Sequence, residues 1–194
     1  MGRNERIKAE IAREAARLLF EEEVRSYRDA RRQAVRRFGP SVSSTRGAHL
    51  PEYAEIHSEF MQLLNFYGGE ALACRVREWR LLALKYLEIF ADFQPFLVGS
   101  VQRGEVREIS DINLQLFCDK PEEIGYFLEA QGIDFEEEGD AEKTRFFLEE
   151  DGIEISCLVY TLVQRRQRPH CGLTDKPLER VDVKRLRELI SENE

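Results

Sequence analysis

LVGSVQRGEVREISDINLQLF, residues 97–117, holds two strand-like runs separated by a turn and a polar connection. The first run ends at Gly99-Ser100, a pair of small residues typical of a tight turn. The second run, 112–117, alternates apolar and polar side chains, which indicates a strand. Because side chains alternate along a strand, Asp111 and Asn113 share one of its faces. The stretch therefore predicts strand, turn, connection and strand.

The turn and the polar face suit metal and phosphate chemistry. Two metal-binding side chains at positions i and i+2 of one strand end can converge on a single cation. A glycine turn leaves backbone N–H groups open to a phosphate. Asp111, Asn113 and the Gly99-Ser100 turn are therefore the first candidate site residues.

This pattern resembles the signature of the DNA polymerase β-like nucleotidyltransferase superfamily. That signature is a Gly-Gly or Gly-Ser turn, a spacer of about this length, Asp-x-Asp or Asp-x-Glu in the next strand, and a third acid in a later strand. Gly99, Ser100 and Asp111 match it, with ten residues between Ser100 and Asp111. Asn113 departs from it, because the family has a carboxylate there. The resemblance covers residues 96–160.

The resemblance implies transfer of a nucleoside monophosphate from an NTP to an acceptor, with Mg²⁺ as cofactor. Asp111 and Glu154 would be the catalytic acids, and Asn113 would join them as a metal ligand. Glu154 follows a predicted hairpin turn and would help to deprotonate the acceptor hydroxyl. Glu149, Glu150, Asp151 and Ser156 are alternatives for its place. The structural interpretations are a strand-start cap for Asp111 and a solvent-facing strand residue for Glu154.

The nucleotide-binding residues implied by the resemblance lie in the turn and in the connection after it. They are Gly99, Ser100, Arg103, Arg107 and Ser110. The expected partners are an NTP and an acceptor that is a small molecule, a protein or an RNA.

Asn113 supports a second hypothesis for the function. A neutral amide removes one negative charge from the metal cluster, and a charge pair is worth about 4 kcal/mol at 4 Å with an effective dielectric constant near 20. The expectation is therefore one weakly held Mg²⁺ or none. The alternative function is a catalytically degraded nucleotidyltransferase fold, a pseudoenzyme that senses nucleotides or binds a protein.

The N-terminal half has apolar residues at helical spacing. Helices are predicted over 5–22, 27–38, 51–66 and 70–93. This half resembles a group of uncharacterised bacterial proteins in which helices precede such a domain. The domain prediction is a helical domain, 1–93, and a nucleotidyltransferase-like domain, 94–194. We also expect two chains to pair through the helical domain.

The second helix carries five arginines in little more than two turns, namely Arg28, Arg31, Arg32, Arg36 and Arg37. One interpretation is a nucleic-acid or phosphate contact. The other is a solvated face that pairs with the acidic run Glu21-Glu22-Glu23. The net charge of −8 favours the second, because it argues against broad polyanion binding.

After residue 117 the sequence predicts an α/β unit. Helices are predicted over 121–131 and 182–191, and strands over 133–137, 144–149 and 153–160. Asp151-Gly152 is a hairpin turn signal. The fold class is thus α+β or α/β, an N-terminal helical bundle followed by a mixed β-sheet with flanking helices.

Composition predicts a globular protein of the cytoplasm. Charged residues make up 34% of the 194 residues and hydrophobic residues 42%. No apolar run approaches the roughly 18 residues of a membrane span, and the N-terminus has no signal-peptide core. The four cysteines have no metal-binding spacing.

Overall fold

The computed structural model describes residues 2–38, 50–140, 143–167, 169–173 and 176–192. Contacts divide the chain into two compact units, which we name the helical unit and the sheet unit. The helical unit comprises Met1–Glu70, Arg107–Ile109 and His170–Lys176, and the sheet unit comprises Ala71–Val106, Ser110–Pro169 and Pro177–Glu194.

In the described part of the helical unit, α1 (Arg3–Phe20) packs against α2 (Tyr27–Arg37) and α3 (Tyr53–Tyr67). Each helix buries an apolar stripe, because its apolar residues recur every three or four positions. The buried residues include Ile11, Ala15, Leu18 and Leu19 of α1, Ala30 and Ala34 of α2, and Ile56, Phe60 and Leu64 of α3. The predicted N-terminal helical bundle is confirmed.

The arginines of α2 are partly used within the helical unit. Arg37 forms ion pairs with Glu14 of α1 and with Glu23, 3.3 Å away in the acidic run. The Arg31 guanidinium lies 4.3 Å from the centroid of the Tyr53 ring. These contacts fit the interpretation of a surface that pairs with its own neighbours, and a nucleic-acid contact stays a prediction.

The sheet unit alternates helices and strands. They are α4 (Gly69–Ile89), β1 (Phe96–Val98), α5 (Ser100–Arg103), β2 (Ile112–Phe117), α6 (Glu122–Gln131), β3 (Glu136–Asp140), β4 (Lys143–Glu150), β5 (Ile153–Tyr160) and α7 (Val183–Ser191). The strands form one five-stranded sheet in the order β1-β2-β5-β4-β3. Strands β2 and β5 run parallel, and the other neighbouring pairs run antiparallel. The predicted fold class, helices followed by a mixed sheet, is confirmed.

One hydrophobic cluster holds the sheet unit together. It joins one face of the sheet to α4, α6 and α7. Its fully buried members include Leu87 of α4, Phe90 directly after α4, Ile112, Leu114 and Leu116 of β2, Ile124 and Leu128 of α6, Ile155 and Cys157 of β5, and Leu186 of α7. The polar side chains of β2 and β5 therefore lie on the other face of the sheet.

Helix α4 contributes its buried face to the core of the sheet. Val76, Trp79, Ala83 and Leu87 all belong to that cluster. The compact sheet unit accordingly begins at Ala71, well before the predicted domain boundary at residue 94. The predicted domain of residues 94–194 therefore lacks the part of the core that α4 supplies.

Among the described residues, none of the helices has the length and apolar character that a membrane-crossing segment requires.

Candidate functional site

The Gly99 bend is the short segment that connects β1 to α5. Gly99 has φ 87° and ψ −152°, a backbone region essentially restricted to glycine. Strand β1 pairs with β2 so that Val98 faces Asn113. A Cβ atom added to Gly99 would lie 3.5 Å from Nδ2 of Asn113. The bend therefore lies directly beside the second motif position, and its backbone conformation requires glycine.

The two candidate acids lie at the same end of the sheet. In the parallel pair β2 and β5, Ile112 is level with Ile155 and Asn113 with Ser156. Asp111 and Glu154 each come one residue before the first of these pairs, at the same end of the two strands. Side chains level in a ladder share a face, and neighbouring strands are about 4.8 Å apart. Asp111 is half-buried and Glu154 is exposed.

Further carboxylates flank Glu154. Glu149 of β4 pairs with it across the antiparallel ladder of β4 and β5. Both residues line a groove of about 500 Å³ together with Asp134, Glu136, Phe135, Phe147 and Leu148. Glu149 therefore lies on the same face as Glu154, as a candidate for the third acid must.

The remaining candidates for the third acid have different surroundings. Glu150 accepts hydrogen bonds from Lys85 at 2.7 Å and from the Tyr86 hydroxyl at 2.9 Å, on the side of the sheet that α4 covers. The hydrogen bond from Lys85 lowers the pKa of Glu150. Asp151 has φ 53° and forms the hairpin turn with Gly152. Ser156 is buried, with 2% of its surface exposed.

The two arginines in the connection between β1 and β2 already have partners within the chain. Arg103 forms an ion pair of 2.9 Å with Glu105, whose side chain is 4% exposed. Arg107 belongs to the helical unit, where it donates hydrogen bonds to the backbone carbonyls of Leu19, Val24 and Arg25 at 3.0–3.1 Å. Ser110, the last residue before Asp111, is half-buried.

The donor set at the bend fits one magnesium ion. Mg²⁺ binds hard oxygen ligands and commonly uses one or two carboxylates, completed by water and phosphate. Asp111 and Glu154 supply two carboxylates, and Asn113 supplies an amide oxygen. Over the described residues, no group of three or more His, Cys, Asp or Glu side chains is arranged to hold a metal ion.

Arg80 supports the bend, although no sequence motif pointed to it. It is 5% exposed. Its guanidinium donates to the carbonyls of Val101 and Gln102 in α5 at 3.3 and 3.1 Å, and to the Leu189 carbonyl of α7 at 3.1 Å. The available signal was its position in α4, where a charged residue interrupts the apolar stripe of Val76 and Ala83.

Arg180 was also missed. It covers the far end of the polar face of the sheet, where it donates to Oε1 of Gln115 at 2.6 Å and lies 5.0 Å from the centroid of the Phe117 ring. Its partners are distant in sequence, so no local pattern indicated them. Arg180 therefore covers this end of the polar face. The candidate site is at the opposite end, with Asp111 and Glu154.

Comparisons of the chain with protein-family models, with curated proteins and with solved structures gave no match.

Proposed function

We propose that the sheet unit is nucleotidyltransferase-like and transfers a nucleoside monophosphate from an NTP to an acceptor hydroxyl. The observation that carries the proposal is the parallel register of β2 and β5. It supports the proposal because Asp111 and Glu154, which are far apart in sequence, each directly precede the first pair of that register. The Gly99 bend lies next to Asn113 at the same end of β2. A metal-bound triphosphate requires this combination of carboxylates and open backbone N–H groups.

Each residue has a defined task in this proposal. Gly99 and Ser100 bind the phosphates through backbone N–H groups and the serine hydroxyl. Asp111 and Asn113 hold Mg²⁺, with Glu154 as the third ligand. The acceptor oxygen forms a bond to the α-phosphorus of the NTP, and the bond to the β-phosphate breaks so that pyrophosphate leaves. The ion would supply charge stabilisation for this exchange. The carboxylate oxygen of Glu154 that does not bind the ion would accept the proton of the acceptor hydroxyl, which makes the hydroxyl oxygen more nucleophilic.

The proposal does not use every residue of the connection. Arg107 is bound to three carbonyl groups of the helical unit, so its role in the proposal is structural. Arg103 reaches a phosphate only if it leaves Glu105, and Ser110 remains a candidate contact. We further propose that the protein works in the cytoplasm, with a small molecule, a protein or an RNA as acceptor.

The test is nucleotide turnover by the purified protein with each of the four NTPs and Mg²⁺ or Mn²⁺. Asp111→Asn should abolish turnover, and Glu154→Gln should lower it by roughly 10²–10⁴-fold, the usual contribution of a positioned base. Glu136→Gln, in the same groove and with the same charge change, is the control and should keep activity. Loss of activity in Glu149→Gln but not in Glu154→Gln would identify Glu149 as the third acid.

A second candidate is the nucleotide-sensing or protein-binding pseudoenzyme. The amide of Asn113, at the position of a family carboxylate, favours it. Calorimetric titration with a non-hydrolysable NTP distinguishes the two candidates. Nucleotide binding without turnover, with metal affinity increased by Asn113→Asp, supports the pseudoenzyme. Absence of both binding and turnover contradicts both candidates as nucleotide proteins.

A further inference from the structure

A second cavity lies in the sheet unit, at the start of β1 and thus at the other end of that strand from the Gly99 bend. Its volume is about 330 Å³, within the range of roughly 300–1,000 Å³ found for ligand pockets. The end of α4, the segment leading into β1, and the first turn of α7 form its walls. None of the residues assigned to nucleotide transfer lines it.

The floor of this cavity is apolar. Leu87 and Pro95 are buried, and Phe96 and Val183 are half-buried. The Phe96 ring meets the Phe117 ring edge to face, with centroids 5.9 Å apart, which holds it in one orientation. The floor therefore fits the apolar or aromatic body of a ligand.

The rim of the cavity carries two cations. Arg165 lies with its guanidinium carbon 5.6 Å from the centroid of the Phe96 ring, and Lys184 is in the first turn of α7. Neither forms an ion pair with any residue that the structure describes. Asp182 also lines the cavity, but its carboxylate caps α7 by accepting the Arg185 N–H at 2.9 Å. In a chain of net charge −8, this rim favours an anionic group.

The cavity wall also contains a strained residue. Gln94 has φ 49°, in the left-handed region that residues other than glycine adopt only rarely. Such residues are enriched at ligand sites, where the surrounding structure holds them in place. The strain adds to the shape and the charge of the cavity as a third indication of a binding site.

We propose that this cavity binds a small organic anion, a carboxylate or sulfonate with an aromatic or branched apolar body. The body packs on Phe96 and Leu87, and the anionic group pairs with Arg165 and Lys184. The site is separate from nucleotide transfer and does not depend on it.

The test is fluorescence titration of the full chain with 8-anilinonaphthalene-1-sulfonate, an aromatic anion. We expect saturable binding to the native protein with one equivalent bound. In competition, 1-naphthoate should displace the probe at least about tenfold more effectively than the uncharged 1-naphthamide, as expected for one charge-assisted hydrogen bond. Equal displacement by the two compounds would overturn the assignment of an anionic ligand.

Two variants locate the binding in the cavity. Arg165→Glu combined with Lys184→Glu should weaken probe binding at least tenfold, and Ala91→Trp should block the cavity from its exposed wall. The matched control, Arg166→Glu with Lys120→Glu, changes the net charge equally at exposed positions outside the cavity and should bind normally. No saturable binding by the native chain, or equal weakening by the control, would overturn the proposal.

Discussion

At the scale of single residues, Arg80 shows how a buried charge can organise a site without touching it. Burial lowers the pKa of its guanidinium, because apolar surroundings disfavour the charged form. Arginine nevertheless stays charged, and its planar group reaches three carbonyls of two helices. These bonds fix α5, and therefore the position of the Gly99 bend, against α4.

Arg80→Met should destabilise the protein by about 2–4 kcal/mol, since the carbonyls of Val101, Gln102 and Leu189 all lose the hydrogen bond from the guanidinium. Arg80→Lys should cost less, because an ammonium group can keep part of these bonds. Urea denaturation followed by circular dichroism measures both free energies of unfolding. A loss below about 1 kcal/mol for Arg80→Met would show that water replaces the guanidinium.

Gly99→Ala should be more costly than Gly132→Ala, although both glycines have positive φ. Gly132, with φ 68° and ψ 30°, lies in the left-handed region, which alanine tolerates at about 1 kcal/mol. Gly99 lies in a backbone region essentially restricted to glycine, so its cost comes from the backbone conformation. We expect about 2–3 kcal/mol for Gly99→Ala by urea denaturation, and equal losses in the two variants would contradict this explanation.

At the scale of elements, strong local signals predicted much of the fold. Asp151 and Gly152 both have positive φ, as the Asp-Gly hairpin signal requires, and they join β4 to β5. Asp182 caps α7 as expected. The structure differs from the prediction where the sequence pattern was weak. Strand β3 begins at Glu136 instead of residue 133, and the predicted polar connection after Gly99 contains a four-residue helix, α5.

Local sequence patterns did not predict which strands pair with each other. Strands β2 and β5 are neighbours in the sheet, although α6, β3 and β4 come between them in the chain. Their parallel pairing is therefore a property of the tertiary structure. For the candidate site, the spacing between the Gly-Ser turn and the next strand led to the proposal of Gly99 and Asp111. It did not identify the partners of Arg107, because a cation binds whichever acceptors the fold brings to it.

The contact between α4 and β4 should give the stability a pH dependence. The hydrogen bond from Lys85 lowers the pKa of Glu150 below its ordinary value of 4.5. The unfolded chain therefore takes up this proton at a higher pH than the folded chain. The contribution of Glu150 is complete above about pH 4.5 and is lost as the pH falls through the lowered pKa.

Thermal unfolding between about pH 3 and pH 7 measures this effect. The difference in melting temperature between native protein and Glu150→Gln should be largest near neutral pH and should shrink in acid. Lys85→Met should reproduce the change, because it removes the same pair, whereas Glu122→Gln, at an exposed position of α6, should not. A constant difference across the range would exclude Glu150 as the titrating group.

At the scale of the whole molecule, sequence and contacts divide the chain differently. The apolar spacing of the sequence separates helices from strands near residue 94, whereas contacts group α4 with the sheet. The reason is that a sheet needs a cover for its apolar face. The last helix of the predicted helical domain supplies much of that cover, with buried residues Val76, Trp79, Ala83, Tyr86, Leu87 and Phe90.

The division predicts which fragments fold. Burial of a large apolar side chain is worth about 1.5–3 kcal/mol. The α4 side chains together therefore contribute an amount comparable with the whole stability of a small domain, about 5–15 kcal/mol. We expect residues 71–194 to unfold cooperatively in urea and residues 94–194 to show no cooperative transition. If the two fragments unfold with equal free energies, the sheet does not need α4 for its stability, and the predicted boundary at residue 94 is the correct one.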